Sequence, residues 1–157
     1  MPVDFSDGSR SALAIGMGLA ARFDAAVDLF HVFALPPPIV PNIMVQTGNG
    51  PAVTVHQMMR REAKDELADF LREAVTPDTR EALQVRGYTK CGEAAEEIVR
   101  RATLRRHDLI VMGTRGLSGL SRMFMGSVAE AVVRQAPCSV LTVRRQAGDG
   151  ADAATAA

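Results

Sequence analysis

The chain has 157 residues, which is enough for one domain with a buried core and too few to expect two. Its 18 basic and 18 acidic residues balance, so no net field directs it to nucleic acid or to an anionic membrane. No apolar run reaches the length of a membrane span, and the N-terminus lacks the leader and core of a secretory signal. The 2 cysteines and 3 histidines lack the spacing of metal ligands, and we expect a reducing, cytoplasmic setting.

Apolar runs alternate with helical patterns along the chain, which predicts a parallel sheet with helices on both faces. Strands are predicted at residues 27–33, 83–89, 108–114 and 138–144, and helices at 9–23, 54–75, 93–106 and 126–135. A first strand should precede Asp4, where only residues 1–3 are available, so we expect it to be truncated. The order predicts one doubly wound, mainly parallel five-stranded sheet, whose ligand lies beyond the carboxyl ends of the strands.

Two segments fall outside this alternation. Residues 35–53 hold five of the eight prolines and show no convincing helix or strand. A loop of this length is usually functional or disordered, so it is a candidate lid, with a spacer without a role as the equal alternative. The tail at residues 146–157 follows the predicted domain of residues 1–145 and should be disordered, because it lacks a periodic apolar face.

The most specific motif follows the strand predicted at residues 108–114. It reads Gly113-Thr114-Arg115-Gly116, and Gly126-Ser127 follows nine residues later at the start of a helix. Glycines let the backbone approach an anion, and a helix N-terminus favours negative charge, so the pattern predicts a phosphate site. It lacks the lysine of a P-loop and the spacing of a dinucleotide fingerprint.

This pattern is the signature of the ATP-binding branch of the universal stress protein family, which the chain resembles from residue 2 to residue 143. Family-like segments occur in order at residues 2–6, 31–32, 92–98, 108–113, 126–130 and 136–140. The resemblance implies a Rossmann-like fold related to the adenine nucleotide α-hydrolases. It also implies ATP as ligand, together with Mg²⁺.

The resemblance assigns the site residues in three groups. Asp4 lies at the adenine and ribose end, with Pro2 and Val3 beside it and Val32 lining the base pocket. The ribose and inner phosphates contact Met112, Gly113, Arg115 and Gly116. The outer phosphates are held by Gly126, Ser127 and Val128.

Each assignment has a structural alternative. Asp4 could cap the first helix, because Asp is a common N-cap. Gly126 and Ser127 could be ordinary capping residues without a ligand. Arg122 could pair with phosphate, although a solvated loop arginine is at least as common.

The sequence offers little for phosphoryl transfer. It has no phosphate-loop lysine and no acidic residue from Gly113 to Ser127. Glu130, one turn into the following helix, is the nearest candidate base, but glutamates on helix surfaces are commoner than catalytic ones. We therefore expect ATP binding with slow or no hydrolysis.

Family members pair through their last strand, so the resemblance implies a homodimer through the strand from Val140 to Val143. Arg144 and Arg145 could instead protect the edge of a monomer. The sequence thus favours a dimeric, nucleotide-dependent stress-response protein. The alternatives are a dimeric interaction module that does not bind nucleotide, and an α-hydrolase-type enzyme, whose Ser-Gly-Gly-x-Asp-Ser loop is replaced here by residues 4–9.

Overall fold

The structure is a computed structural model that describes residues 1–35, 43–46, 50–114 and 125–144. The predictions for Arg115, Gly116, Arg122 and the tail at residues 146–157 lie outside these residues. So does part of the candidate lid, of which residues 35, 43–46 and 50–53 are described.

Helices and strands alternate along the described chain. The helices are α1 (Asp7–Phe23), α2 (Val55–Ala74), α3 (Pro77–Ala82), α4 (Ala94–Arg105) and α5 (Ser127–Gln135). The strands are β1 (Asp28–Phe33), β2 (Met44–Val45), β3 (Val53–Thr54), β4 (Arg86–Cys91), β5 (Leu109–Gly113) and β6 (Ser139–Val143). All four predicted helices and the four predicted complete strands are present, with ends that shift by at most three residues. The sequence missed α3 and the antiparallel pair of β2 and β3.

The predicted single five-stranded sheet differs from the arrangement that the structure shows. The described residues contain a parallel pair of β1 and β4, a parallel pair of β5 and β6, and the small antiparallel pair. The segment before Asp4 makes one parallel bridge to β1, between Pro2 and Phe30. The Val3 amide donates to the Phe30 carbonyl at 3.0 Å, and the Phe30 amide donates to the Met1 carbonyl at 3.0 Å. Within the described residues, this segment makes a single bridge and does not extend into a ladder. The two parallel pairs are therefore not joined into one sheet there.

Helices cover both faces of the parallel pairs, as the alternation predicts. On one face, α1 lies against β5 and β6 while α2 lies against β1 and β4; on the other, α4 and α5 pack together. The alternation of β1 divides its side chains between these faces. Leu29 is completely buried with α1 and α2, whereas Phe30 is buried with α4 and α5. The carboxyl ends of β1 and β5 therefore open between helix N-termini, as a doubly wound fold requires.

None of the helices in the described ranges has the length and apolar character needed to cross a membrane.

Candidate functional site

A cavity of about 320 Å³ lies at the carboxyl ends of β1 and β5. Its lining is drawn from the segment before α1, from β1 and β5, and from the N-terminal turns of α1, α4 and α5. Nine of the eleven residues assigned from the resemblance contribute to it: Pro2, Val3, Asp4, Val32, Met112, Gly113, Gly126, Ser127 and Val128. The other two, Arg115 and Gly116, belong to the part of the chain that the structure does not describe.

Asp4 is held at the rim of this cavity by the residue two positions later. Its Oδ1 accepts a hydrogen bond from Ser6 Oγ at 2.6 Å and another from the Ser6 amide at 3.2 Å. Phe5 between them has a φ of 64°, a left-handed conformation that turns the chain sharply into α1. Because Ser6 supplies the N-cap oxygen to the Ser9 amide, Asp4 is not the N-cap of α1. The capping alternative for Asp4 is therefore wrong.

The N-terminus of α5 differs from those of the other long helices. Side chains cap α1, α2 and α4, through Ser6, Thr54 and Glu93 respectively. The N-cap of α5 is Gly126, and none of the described side chains caps its first turn. The Gly126 amide donates to the Thr114 carbonyl at 2.7 Å, which fixes the start of α5 beside the end of β5. The first-turn amides of α5 therefore lie at the cavity with no competing side chain from the described part of the chain, which is the geometry of an anion site.

One wall of the cavity is apolar and was largely missed from the sequence. Phe30, Ala94, Ile98 and Ala129 line it, and Phe30 and Ile98 are each only 6% exposed. One signal was available, because Phe30 and Val32 alternate on one face of β1 and Val32 had been assigned to the base pocket. A flat, apolar wall facing polar groups is the usual construction of a small-molecule site.

Ser9 and Thr114 add polar groups that the sequence analysis did not assign. Ser9 is the buried polar residue of the core in the described ranges, and its Oγ donates to the Ser6 carbonyl at 2.9 Å. Its hydroxyl proton is therefore used within the turn that holds Asp4.

Glu130, the candidate base, lies on the exposed surface of α5. Its carboxylate pairs with Arg134 one turn later at 2.7 Å, and its side chain is 59% exposed. Among the described residues it does not contribute to the cavity lining. The described residues also contain no group of three or more His, Cys, Asp or Glu side chains that could hold a metal ion by themselves.

Comparison with known proteins places this fold in a family. The sequence model of the universal stress protein family matches residues 1–144. Universal stress protein MJ0531 of Methanocaldococcus jannaschii is 33% identical over 147 residues, which cover 92% of this chain and 80% of that protein.

Solved structures agree at the level of the fold. The universal stress protein UspA from Lactobacillus plantarum is 22% identical, with a TM-score of 0.63 over 91% of this chain and 94% of that one. A universal stress protein in complex with cAMP is 22% identical, with a TM-score of 0.62 over 91% and 93% of the two chains. The chain belongs to the universal stress protein family.

Proposed function

We propose that the chain binds an adenine nucleotide, ATP with Mg²⁺, in the cavity between β1, β5 and α5, and acts as a nucleotide-dependent stress-response protein. The observation that carries the proposal is that one cavity joins an apolar wall, the Asp4 carboxylate and the N-terminus of α5, which no side chain in the described ranges caps. A protein of the same fold has been solved with cAMP, which makes nucleotides the first ligand class to test.

The base would occupy the apolar end of the cavity. Phe30, Val32 and Met112 offer dispersion contacts to a flat ring, while Asp4 can accept a hydrogen bond from an amine or a ribose hydroxyl. The two Ser6 donors fix the Asp4 carboxylate before any ligand arrives, so binding would cost little side-chain entropy.

The phosphates would lie against α5. Backbone amides of its first turn and the Ser127 hydroxyl are suited to phosphate oxygens, and the helix dipole adds to the attraction. Arg115 and Gly116 complete this end by resemblance. Asp4 is the acidic residue of the described lining, and a carboxylate that shares Mg²⁺ with phosphate oxygens is a common arrangement.

Hydrolysis would be slow or absent. A hydrolase must position a water and neutralise developing charge at the γ-phosphate, and Glu130 is paired with Arg134 at the helix surface. The nucleotide would then act as a bound effector that alters the stability or the contacts of a cytoplasmic homodimer formed through β6.

Isothermal titration with ATP and Mg²⁺ tests the proposal on three proteins. The parent chain should give saturable heat, and Gly113→Val should abolish it by placing two methyl groups in the cavity lining. The matched control is Gly18→Val on α1, where an added Cβ meets nothing within 4 Å, and it should bind as the parent does. Absence of heat and of a thermal shift in the parent would overturn the proposal and leave a dimeric interaction module.

A further inference from the structure

A cluster of charged side chains, Asp28, Arg101 and His107, lies behind the apolar wall of the cavity, and we call it the charged support. A second, much smaller cavity of about 20 Å³ shares Pro2, Phe30 and Ile98 with the first, so these residues separate the two. On the far side, the smaller cavity is lined by Asp28, Arg101 and His107. Interactions that fix these three side chains therefore also restrain Phe30 and Ile98 from behind.

Arg101 is the centre of this support. Its Nη2 donates to Asp28 Oδ2 at 2.8 Å, and His107 Nε2 lies 3.1 Å from the same oxygen. Its guanidinium lies over the Tyr88 ring at 3.6 Å and over the Phe30 ring at 5.0 Å, both measured to the centroid. The Arg101 side chain is only 16% exposed, so these interactions are shielded from solvent.

The stacking on two aromatic rings explains why an arginine suits this position, although its Nε is left without a partner among the described residues. Arg101 Nε is buried and has no hydrogen-bond partner in the described parts of the chain. A planar guanidinium can stack its faces on aromatic rings while its end forms the ion pair, whereas a lysine ammonium is a compact point charge with no flat face to stack. Stacking on Tyr88 and Phe30 therefore requires the guanidinium itself as well as its charge.

Helix α4 connects the support to the ligand side. Ala94, Ile98 and Arg101 are spaced by four and three residues, which places them on one face of the helix. The first two line the large cavity, and the third is anchored to β1 through Asp28.

We propose that Arg101 is a positioning residue for the base pocket, which holds Phe30 and α4 at the spacing that a nucleobase requires. The inference rests on the proposed nucleotide site and adds to it a residue that contacts no ligand. Arg101 packs on Phe30 at the base end, whereas the phosphate end is built on the first turn of α5 and the end of β5, so we expect loss of Arg101 to act on the base end.

The test separates the two ends of the ligand. ATP and inorganic tripolyphosphate, each with Mg²⁺, are titrated into the parent chain, Arg101→Met and Arg101→Lys. Arg101→Met should weaken ATP about five- to tenfold, because Phe30 and α4 are no longer held in place and must be ordered when the base binds, and it should leave tripolyphosphate unchanged. Arg101→Lys should recover little of the loss because it restores the charge without the stack.

Two further variants make the result decisive. Arg100→Met is the matched control, since Arg100 is the neighbouring residue, is 53% exposed and pairs with Glu97 on the helix surface; it should bind both ligands normally. Tyr88→Leu removes one face of the stack, keeps both charges, and should reproduce the selective loss of ATP if Arg101→Met fails to fold.

Equal weakening of ATP and tripolyphosphate would show a general structural role and overturn the inference, as would unchanged ATP affinity in both Arg101→Met and Tyr88→Leu. Failure of the parent chain to bind ATP would overturn the proposed function together with the inference. Binding by the parent that the variants do not alter overturns the inference alone.

Discussion

At the scale of single residues, the turn from Asp4 to Ser9 combines a helix cap with the carboxylate of the proposed site. Ser6 Oγ donates to Asp4 and accepts from the Ser9 amide, so one hydroxyl starts α1 and orients the carboxylate. The left-handed Phe5 makes this approach possible at some conformational cost. Folding of α1 and preorganisation of the proposed site are therefore linked through a single side chain.

Replacement of this hydroxyl should affect both properties. Ser6→Ala removes the N-cap acceptor and should lower the free energy of unfolding by about 1 kcal/mol. It should also weaken ATP, because Asp4 loses the 2.6 Å hydrogen bond that orients it. Urea denaturation and isothermal titration measure the two effects. Ser11→Ala is the control: Ser11 Oγ only donates to the Asp7 carbonyl within α1, so both measurements should remain near the parent values. A Ser6→Ala protein with unchanged ATP affinity would contradict the link.

Cys138 is a half-buried free thiol that immediately precedes β6. Burial is the main cause of a raised pKa for its thiol, and the Asp108 carboxylate raises that pKa further. The thiol packs against the cluster formed by α4, α5 and β5. The raised pKa favours the protonated thiol, so its contribution to stability is lost only as the pH rises above the ordinary thiol value of 9.0.

At the scale of elements, α5 must be held firmly if its N-terminus is to receive phosphate. Val132 anchors the helix, with no exposed surface, in the cluster that includes Phe30, Ile98 and Met112. Its neighbour Val133 faces solvent and is 48% exposed. The same substitution can therefore be made at a buried valine and at an exposed valine of one helix.

Val132→Ala should lower the free energy of unfolding by about 2 kcal/mol, because two buried methyl groups are lost and a small cavity remains. Val133→Ala should change it by less than about 0.5 kcal/mol, as is usual at exposed positions. Urea denaturation followed by circular dichroism gives both values. Equal effects of the two substitutions would show that α5 is not anchored as the structure describes.

The same elements show what a sequence can reveal. The helix α1 could be predicted because its apolar residues repeat over 17 positions, and β5 because it is a continuous apolar run that ends at a glycine. The two-residue strands β2 and β3 carry no repeat, and the six-residue α3 is too short to show an amphipathic face. The division of the sheet could not be predicted fully, because it depends on whether the residues before Asp4 form one bridge or a ladder.

The residues of the candidate site could likewise be predicted only where the sequence carries a recognisable pattern. Gly113, Gly126 and Ser127 were identifiable because their spacing has a chemical reason. Phe30 and Ile98 were not, since a ligand wall and a hydrophobic core select the same residue types. Arg101 was missed because the aromatic rings around it come from β1 and β4, which are distant in sequence.

At the scale of the whole molecule, β6 offers a strand edge at which the proposed dimer could form. Within the described residues, β6 pairs with β5 on one side only. The Val143 carbonyl accepts from the Thr114 amide, so Val143 directs its backbone groups toward β5. Because these groups alternate along a strand, those of Thr142 and Val140 point to the outer edge, where a second copy could pair.

Thr142→Pro should therefore convert the proposed dimer to a monomer and leave the fold intact. Proline removes an outward amide donor and, on an edge strand, spares the hydrogen bonds between β5 and β6. Multi-angle light scattering gives the oligomeric state, and circular dichroism verifies the fold. Thr142→Val, which keeps the donor and the β-branched shape, should remain dimeric. A dimer that persists in Thr142→Pro would place the interface on another surface, and a monomeric parent chain would rule out stable pairing through β6.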